Sequence, residues 1–395
     1  MRLPFVGSRH KYVVLVVVLL ICLGRGLLSL KSTDNDTEDR PRFLYHSRFR
    51  TNPDTDYELR LSNALRDLEH RERSLNGLGG HTDTLWQILL GKTPTPEQRG
   101  EDSLNLEAAN AEWKYKIVTS EWAEEFVTIT LSSIPGLASM YHSYPHNVLR
   151  SDLLRYLILW YYGGYYADMD VFPKRTIKSC PSLQHSVFAP EHTNVSLVVG
   201  IEIDEPFASP QKMRNWHWVR SYGFIQYTMY APHRFSPLLR EVIVRVLSHT
   251  KSNKSIIFRK YSEMTTLEVT GPGVFTDAIL DCLSETLPAT HPLISDSVKA
   301  DEHLGDLVPP GVESPIQRVS WAPFYRLNQP LCVDDSNVKP DKQFGGLCVL
   351  PVNAWGNGQR HSGSEGFNSQ QACINHRFSG TWKPWRQSWK KYLFG

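Results

Sequence analysis

Two carboxylates one residue apart, Asp168 and Asp170, follow a stretch in which Asp152 and Arg155 stand one helical turn apart. Carboxylate oxygens are hard ligands, and a pair of them suits Mg²⁺ or Mn²⁺, which keep waters and substrate phosphates as their remaining ligands. The pair alone says little. Asp34-Asn35-Asp36 and Asp54-Thr55-Asp56 repeat the spacing in polar sequence, where it reads as solvated charge. What sets Asp168 and Asp170 apart is the sequence that precedes them.

Leu153, Leu154, Leu157, Ile158 and Tyr161 recur at steps of three and four, which predicts the apolar stripe of an amphipathic helix. Asp152 and Arg155 share a face of that helix. They can bond each other, point together at a ligand, or do both. Gly163-Gly164 then supplies a helix stop, and Tyr165-Tyr166-Ala167 a short aromatic strand. In a regular strand Asp168 and Asp170 would project to one face. A strand end in an open α/β sheet is where ligands gather, and a cation carrying a diphosphate fits such a place.

The motif Asp152-Leu153-Leu154-Arg155-Tyr156 with Gly163-Gly164-x-Tyr166-x-Asp168-x-Asp170 resembles the sugar-binding Asp-x-Asp region of family 32 glycosyltransferases and of distantly related glucosylating bacterial toxins. Val199-Gly200-Ile201-Glu202, the run Thr270-Gly271-Pro272-Gly273-Val274-Phe275-Thr276-Asp277, and the closing His376-Arg377-Phe378-Ser379-Gly380-Thr381-Trp382-Lys383 are similar to the fungal initiating α-1,6-mannosyltransferases of the outer-chain type. The resemblance implies a GT-A type fold, a Rossmann-like mixed and mostly parallel sheet flanked by helices. It also implies retaining transfer of mannose from GDP-mannose to an N-linked glycan, with Mn²⁺ or Mg²⁺ as cofactor. Other acceptors stay open, an inositol phosphorylceramide glycolipid among them, as does a non-catalytic place beside other Golgi mannosyltransferases in a mannan-building complex.

By the same resemblance, Asp170 holds the metal with His376, Asp168 shares that cation or holds the ribose and sugar, and Lys383 holds phosphate. Asp152, Arg155 and Tyr166 contact the donor sugar, and Trp86-Gln87 ends the nucleotide-side strand. A lone histidine is as readily a packed one. Glu202 and Asp204 follow an apolar strand and either flank the acceptor, steadying charge at the anomeric carbon, or cap a turn. The loop Thr270–Gly273 reads either as a plain turn or as a helix start facing phosphate oxygens. Most of the 11 Trp and 17 Tyr residues are expected in the core.

Address and class come from composition. Residues 1–11 carry positive charge and read as a cytosolic tail, and residues 12–30 as a signal anchor that approaches the roughly 20 apolar residues of a span. A cleaved signal peptide is the alternative. Either delivers the chain to the secretory lumen, and the anchor reading places it as a single-pass type II protein of the Golgi membrane. Sequons at Asn35, Asn194 and Asn253 suit that compartment. Residues 31–80, with a helical, charge-rich patch around Tyr57 to Ser74, are polar enough to be a lumenal stem, leaving 81–395 as the catalytic domain. With 43 Lys and Arg against 41 Asp and Glu, nothing favours nucleic acid as a partner. Outside the anchor's Cys22 five cysteines remain, so one stays unpaired within the chain; Cys332 and Cys348 form the preferred bridge. No spacing suggests zinc.

Overall fold

Short β-branched and aromatic runs build the sheet that carries the acidic pair. A computed structural model describes residues 52–77, 83–188, 194–252, 263–304, 317–335, 338–339 and 342–380. Its strands are β1 (Thr84–Ile88), β2 (Lys114–Val118), β3 (Gly164–Ala167), β4 (Val171–Pro173), β5 (Leu197–Asp204), β6 (Tyr222–Phe224), β7 (Thr228–Ala231), β8 (Leu331–Val333), β9 (Leu347–Leu350) and β10 (Ile374–His376). An eight-stranded sheet has the order β2-β1-β3-β7-β5-β9-β8, with β6 added on β5; β4 and β10 form a separate ribbon. Pairing is parallel at β1–β2, β1–β3 and β5–β9 and antiparallel elsewhere. Thus β1, β2, β3, β5 and β9 run one way, and β6, β7 and β8 the other. This is the mixed, mostly parallel sheet expected. Apolar clusters cover both faces, as a sheet flanked by helices requires.

The helices that bear on the site are α1 (Thr55–Asn76), α2 (Glu101–Ala109), α3 (Asn147–Tyr162), α4 (Pro237–Ser252) and α5 (Pro272–Thr286). The predicted helix before the double glycine is α3, but it buries more than one stripe. Every residue from Asp152 to Tyr161 is buried. A helix apolar around its circumference lies inside the protein, so its two charged residues must find partners there. It ends at Gly163, φ 70°. Gly164 follows with φ 100°, and a Cβ there would sit 2.4 Å from the Thr84 carbonyl oxygen. Only glycine lets β3 lie this close to β1.

The stem expectation fails for residues 55–76. Leu61, Leu65 and Leu68 put three apolar side chains on one face of α1, and all are buried in the main core. Each contributes roughly 1.5–3 kcal/mol of burial. Glu69, also buried, accepts from Trp160 Nε1 at 2.9 Å and Arg240 Nη1 at 2.8 Å. Asp54, read as solvated charge, is the N-cap, accepting the Tyr57 N–H at 3.0 Å. The charge-rich average hid a leucine face at helical spacing, and α1 belongs to the folded domain. Residues 1–30, the sequons at Asn35 and Asn253, and Lys383 lie outside the described residues. Among the described residues no helix is long and apolar enough to cross a membrane.

Candidate active site

Asp168 and Asp170 converge for a different reason from the one their spacing suggests. They are not on a strand: after β3 the chain turns, Val171 N–H donating to the Asp168 carbonyl at 3.1 Å. The turn leads into β4, which pairs antiparallel with β10 so that His376 lies opposite Val171. That register brings His376 Nε2 to 2.9 Å from Asp170 Oδ1. One ligand atom each from Asp168, Asp170 and His376 lie within 4.8 Å of one another. The Cys180–Cys373 disulfide ties down the chain just before β10. The preferred Cys332–Cys348 bridge also forms, across β8 and β9, leaving Cys282 free.

Asp170 is held on both oxygens. Oδ2 accepts the Ser379 N–H at 3.0 Å and also the Ser379 hydroxyl, while the Asp170 carbonyl accepts from Arg377 N at 3.0 Å. Burial opposes its charge, but the hydrogen bonds from His376 and Ser379 outweigh burial and hold the carboxyl well below the usual range. The imidazole of His376 stacks on Tyr227 at 4.1 Å between centroids.

Beneath this triad Asp152 and Arg155 meet, as their helix spacing allowed. Arg155 Nη2 lies 3.1 Å from Asp152 Oδ1 and 3.3 Å from Asp168 Oδ1, so one guanidinium joins the helix to the acidic turn. Asp152 also accepts the Thr270 hydroxyl at 2.7 Å. Burial works against the charge on Arg155, but the carboxylates of Asp168 and Asp152 outweigh it and keep the guanidinium firmly protonated. Tyr166 donates its hydroxyl to Asp168 Oδ1 at 2.6 Å, and the Arg155 guanidinium lies over its ring. Asp168 and Asp170 keep 26% and 25% of their side-chain surface exposed, whereas Asp152 keeps 2%. The first two can therefore meet a ligand; Asp152 acts through Arg155.

The triad opens into a cleft of about 500 Å³. Lys92, Arg155, Tyr166, Arg377 and Ser379 line it beside the triad. A cavity of this size accommodates a ligand larger than a single sugar. Sequence reasoning missed Lys92, Arg377 and Ser379. The last two sit in the closing segment already singled out for His376, but nothing local announces that a serine hydroxyl there would bond Asp170.

Other predicted residues are placed elsewhere. Trp86 and Gln87 are buried in β1 rather than lining the cleft. Trp86 Nε1 donates to the Gly163 carbonyl at 3.0 Å and braces the helix stop, while Gln87 Nε2 donates to the Asp168 carbonyl at 2.9 Å and braces the acidic turn. Gln87 is fixed in turn by Ser103, at 2.7 Å from its Oε1, and by Tyr115. The Thr270–Gly273 loop starts α5 away from the cleft and serves Asp152. Glu202 and Asp204 do not line the cleft either. Glu202 stands near Tyr227, whose phenol is pushed well up by burial and, secondarily, by that carboxylate.

Asp204, fully buried at the end of β5, accepts the Arg326 N–H at 2.8 Å. Burial raises its carboxyl from 3.8 to about 6, against the pull of that N–H and of the Arg326 charge. Between these pH values the folded chain keeps a proton that the unfolded chain has lost, so stability is fully present below 3.8 and is lost as pH rises through 6. The loss is on the order of 3 kcal/mol. Asp204→Asn cannot ionise and keeps an acceptor for Arg326. Its advantage over the wild type should grow by that amount between pH 4 and 7 in urea unfolding, and an advantage independent of pH would refute the assignment.

Two carboxylates and an imidazole are a donor set that Mn²⁺ or Mg²⁺ accepts, and among the described residues they form the one such group. Residues 101–188, which contain Asp152, Arg155, Asp168 and Asp170, match the family model described as a glycosyltransferase sugar-binding region containing a DXD motif. The chain is 24% identical over 303 residues to the initiation-specific alpha-1,6-mannosyltransferase of Candida albicans, covering 75% of this chain and 70% of that protein. It is 29% identical to the enzyme of that name from Schizosaccharomyces pombe over 64% of this chain and 51% of the relative, so it spans about half of the latter's length. A shorter match, 39% identical over 66 residues (17% of this chain and 18% of the relative), is to inositol phosphoceramide mannosyltransferase 3 of S. pombe.

Proposed function

We propose, for a chain that belongs to the glycosyltransferases with a DXD-containing sugar-binding region, that it moves mannose from GDP-mannose onto a mannose of an N-linked glycan, in α-1,6 linkage and with retention. The observation that carries the reading is the convergence of Asp168, Asp170 and His376 at the mouth of a cleft, above the buried Asp152–Arg155 pair. The names of the C. albicans and S. pombe relatives support the mannosyl donor and the linkage. A GT-A type fold and residence in the Golgi membrane through residues 12–30 belong to the same proposal.

Asp168, Asp170 and His376 would hold Mn²⁺ or Mg²⁺, which when bound neutralises the charge that develops on a departing diphosphate. Ser379 and the backbone of Arg377 keep Asp170 in place for that task. Lys92 and Arg377 put cationic groups on the cleft wall, where they suit phosphate oxygens. Arg155 is fixed by two carboxylates on the inner wall and has little freedom to reorganise. It is suited to orient sugar hydroxyls at low cost. Glu101 and Asp102 also line the cleft, and Asp102 is engaged by Arg377 at 3.2 Å. Of the two retaining routes, the proposal takes the same-face displacement, in which the leaving phosphate accepts the acceptor's proton.

The short, more identical match to an inositol phosphoceramide mannosyltransferase favours a second reading, with a glycolipid acceptor. A donor screen with the purified lumenal domain and Mn²⁺ separates the readings. GDP-mannose should be consumed far faster than other nucleotide sugars, with product on a high-mannose glycan and not on inositol phosphorylceramide. Product on the lipid alone would install the second reading; turnover of no nucleotide sugar would overturn both.

A further inference from the structure

Among the described residues the most exposed large apolar side chains are Leu59, Leu75, Ile129, Phe207, Trp216 and Tyr325. The three aromatic ones share one surface. Phe207 packs edge-on against Tyr325, centroids 5.9 Å apart, and both meet Trp321. Trp216 stacks on Trp218 at 5.7 Å, with His361 edge-on to both rings. Polar groups bridge the two clusters. Lys212 lies over Trp218 and pairs with Glu205 at 2.7 Å, and Glu205 accepts the Ser362 N–H at 2.7 Å. Arg326 lies over Tyr325 while its N–H is held by Asp204. His217, Arg326 and Ser362 all have φ between 53° and 61°, a conformation most side chains avoid, so the surrounding structure enforces this shape.

Aromatic rings and arginine also mark protein–protein contacts, but the Lys212–Glu205 pair set among these rings is of the kind such contacts exclude from their centre. They suit a sugar. The C–H face of a hexose is apolar and slightly positive and lies well on an aromatic face, while its hydroxyls need polar partners at the rim. Position points the same way. β3 and β5 run parallel, so Asp204 at the end of β5 and Asp168 after the end of β3 lie at one edge of the sheet. Between them β7 and the preceding Tyr227 bridge the two, Tyr227 stacked on His376 and near Glu202.

We propose that this surface is the acceptor platform: a hexose of the incoming glycan lies on Trp216 and a further one on Phe207 and Tyr325, with Glu205, Lys212 and Arg326 bonding hydroxyls. The inference rests on the glycosyl-transfer reading of the cleft. It keeps Glu202 and Asp204 on the acceptor side, Asp204 by shaping the platform from beneath.

Trp216→Ala and Tyr325→Ala, each partly exposed and thus tolerable to the fold, should raise the KM for a high-mannose glycan by about tenfold or more. kcat should change far less, and Trp216→Phe should recover most of the loss. Without donor, the same free glycan should quench tryptophan fluorescence of the wild type, and Trp216→Ala should abolish the quench. Unchanged acceptor KM in both alanine variants, or an unchanged quench, overturns the platform. So does a variant that turns a dimer into a monomer in light scattering while glycan binding persists, because the surface is then a protein interface. If the wild type turns over no nucleotide sugar, the transfer reading fails while the fluorescence titration still decides the platform.

Discussion

Replacing Asp168 and Asp170 together by asparagine is expected to lower mannosyl transfer by at least about a thousandfold and to abolish Mn²⁺ binding in titration calorimetry. Asparagine is the informative choice. Alanine at 168 would strip Arg155 and the Tyr166 hydroxyl of an acceptor, and alanine at 170 would release Ser379, mixing a structural cost with a chemical one. The amides keep size and one acceptor oxygen each but lose the charge that holds a hard cation. Calorimetry gives a readout independent of turnover, and thermal unfolding within a few degrees of the wild type shows the fold intact. Wild-type Mn²⁺ affinity in this variant would remove the metal assignment whatever its activity.

The second large effect is on stability. Arg155→Ala should destabilise the chain by about 3–5 kcal/mol, the usual cost of breaking a buried ion pair from one side. Its guanidinium is 6% exposed, and without it Asp152, which burial already raises to about 7, keeps the Thr270 hydroxyl as its close partner among the described residues and must take up a proton, while Asp168 loses its cation. The diagnostic is the rescue at pH 7 and above: Asp152→Asn in the Arg155→Ala background should recover part of the loss, since a buried amide needs no proton to stay neutral. Urea unfolding of the wild type, Arg155→Ala and the double variant measures it. A single variant within 1 kcal/mol of the wild type, or a double variant no better than Arg155→Ala, would show that the pair does not lock the acidic turn to α3.

Much of this site was legible because its parts are local. The helix, the double glycine and the short aromatic strand stand consecutively in the chain, and each is dictated by side-chain periodicity or by glycine's access to positive φ. The pairing of Asp152 with Arg155 followed from helix spacing. The same local reasoning fell short where it lent Asp168 and Asp170, just past the strand, the geometry of a regular strand; they form a turn instead. It erred again in the 31–80 segment, where average polarity concealed Leu61, Leu65 and Leu68 on one face of α1. Trp86 and Gln87 were on the right strand, but register decided that they brace the helix stop and the acidic turn from within.

By itself the sequence determined the α/β alternation, the helix–glycine–strand unit and the carboxylates that end it, because these depend on interactions within a few residues. Only the tertiary structure decided which distant groups complete the site. His376 reaches Asp170 across 206 residues through the β4–β10 pairing and the Cys180–Cys373 bridge, and Ser379 follows it. The platform of Phe207, Trp216 and Tyr325 is drawn from separate segments, and nothing in their local sequence separates an exposed ring from a buried one. Long-range pairing depends on the whole sheet's register and packing, which no short window of sequence contains.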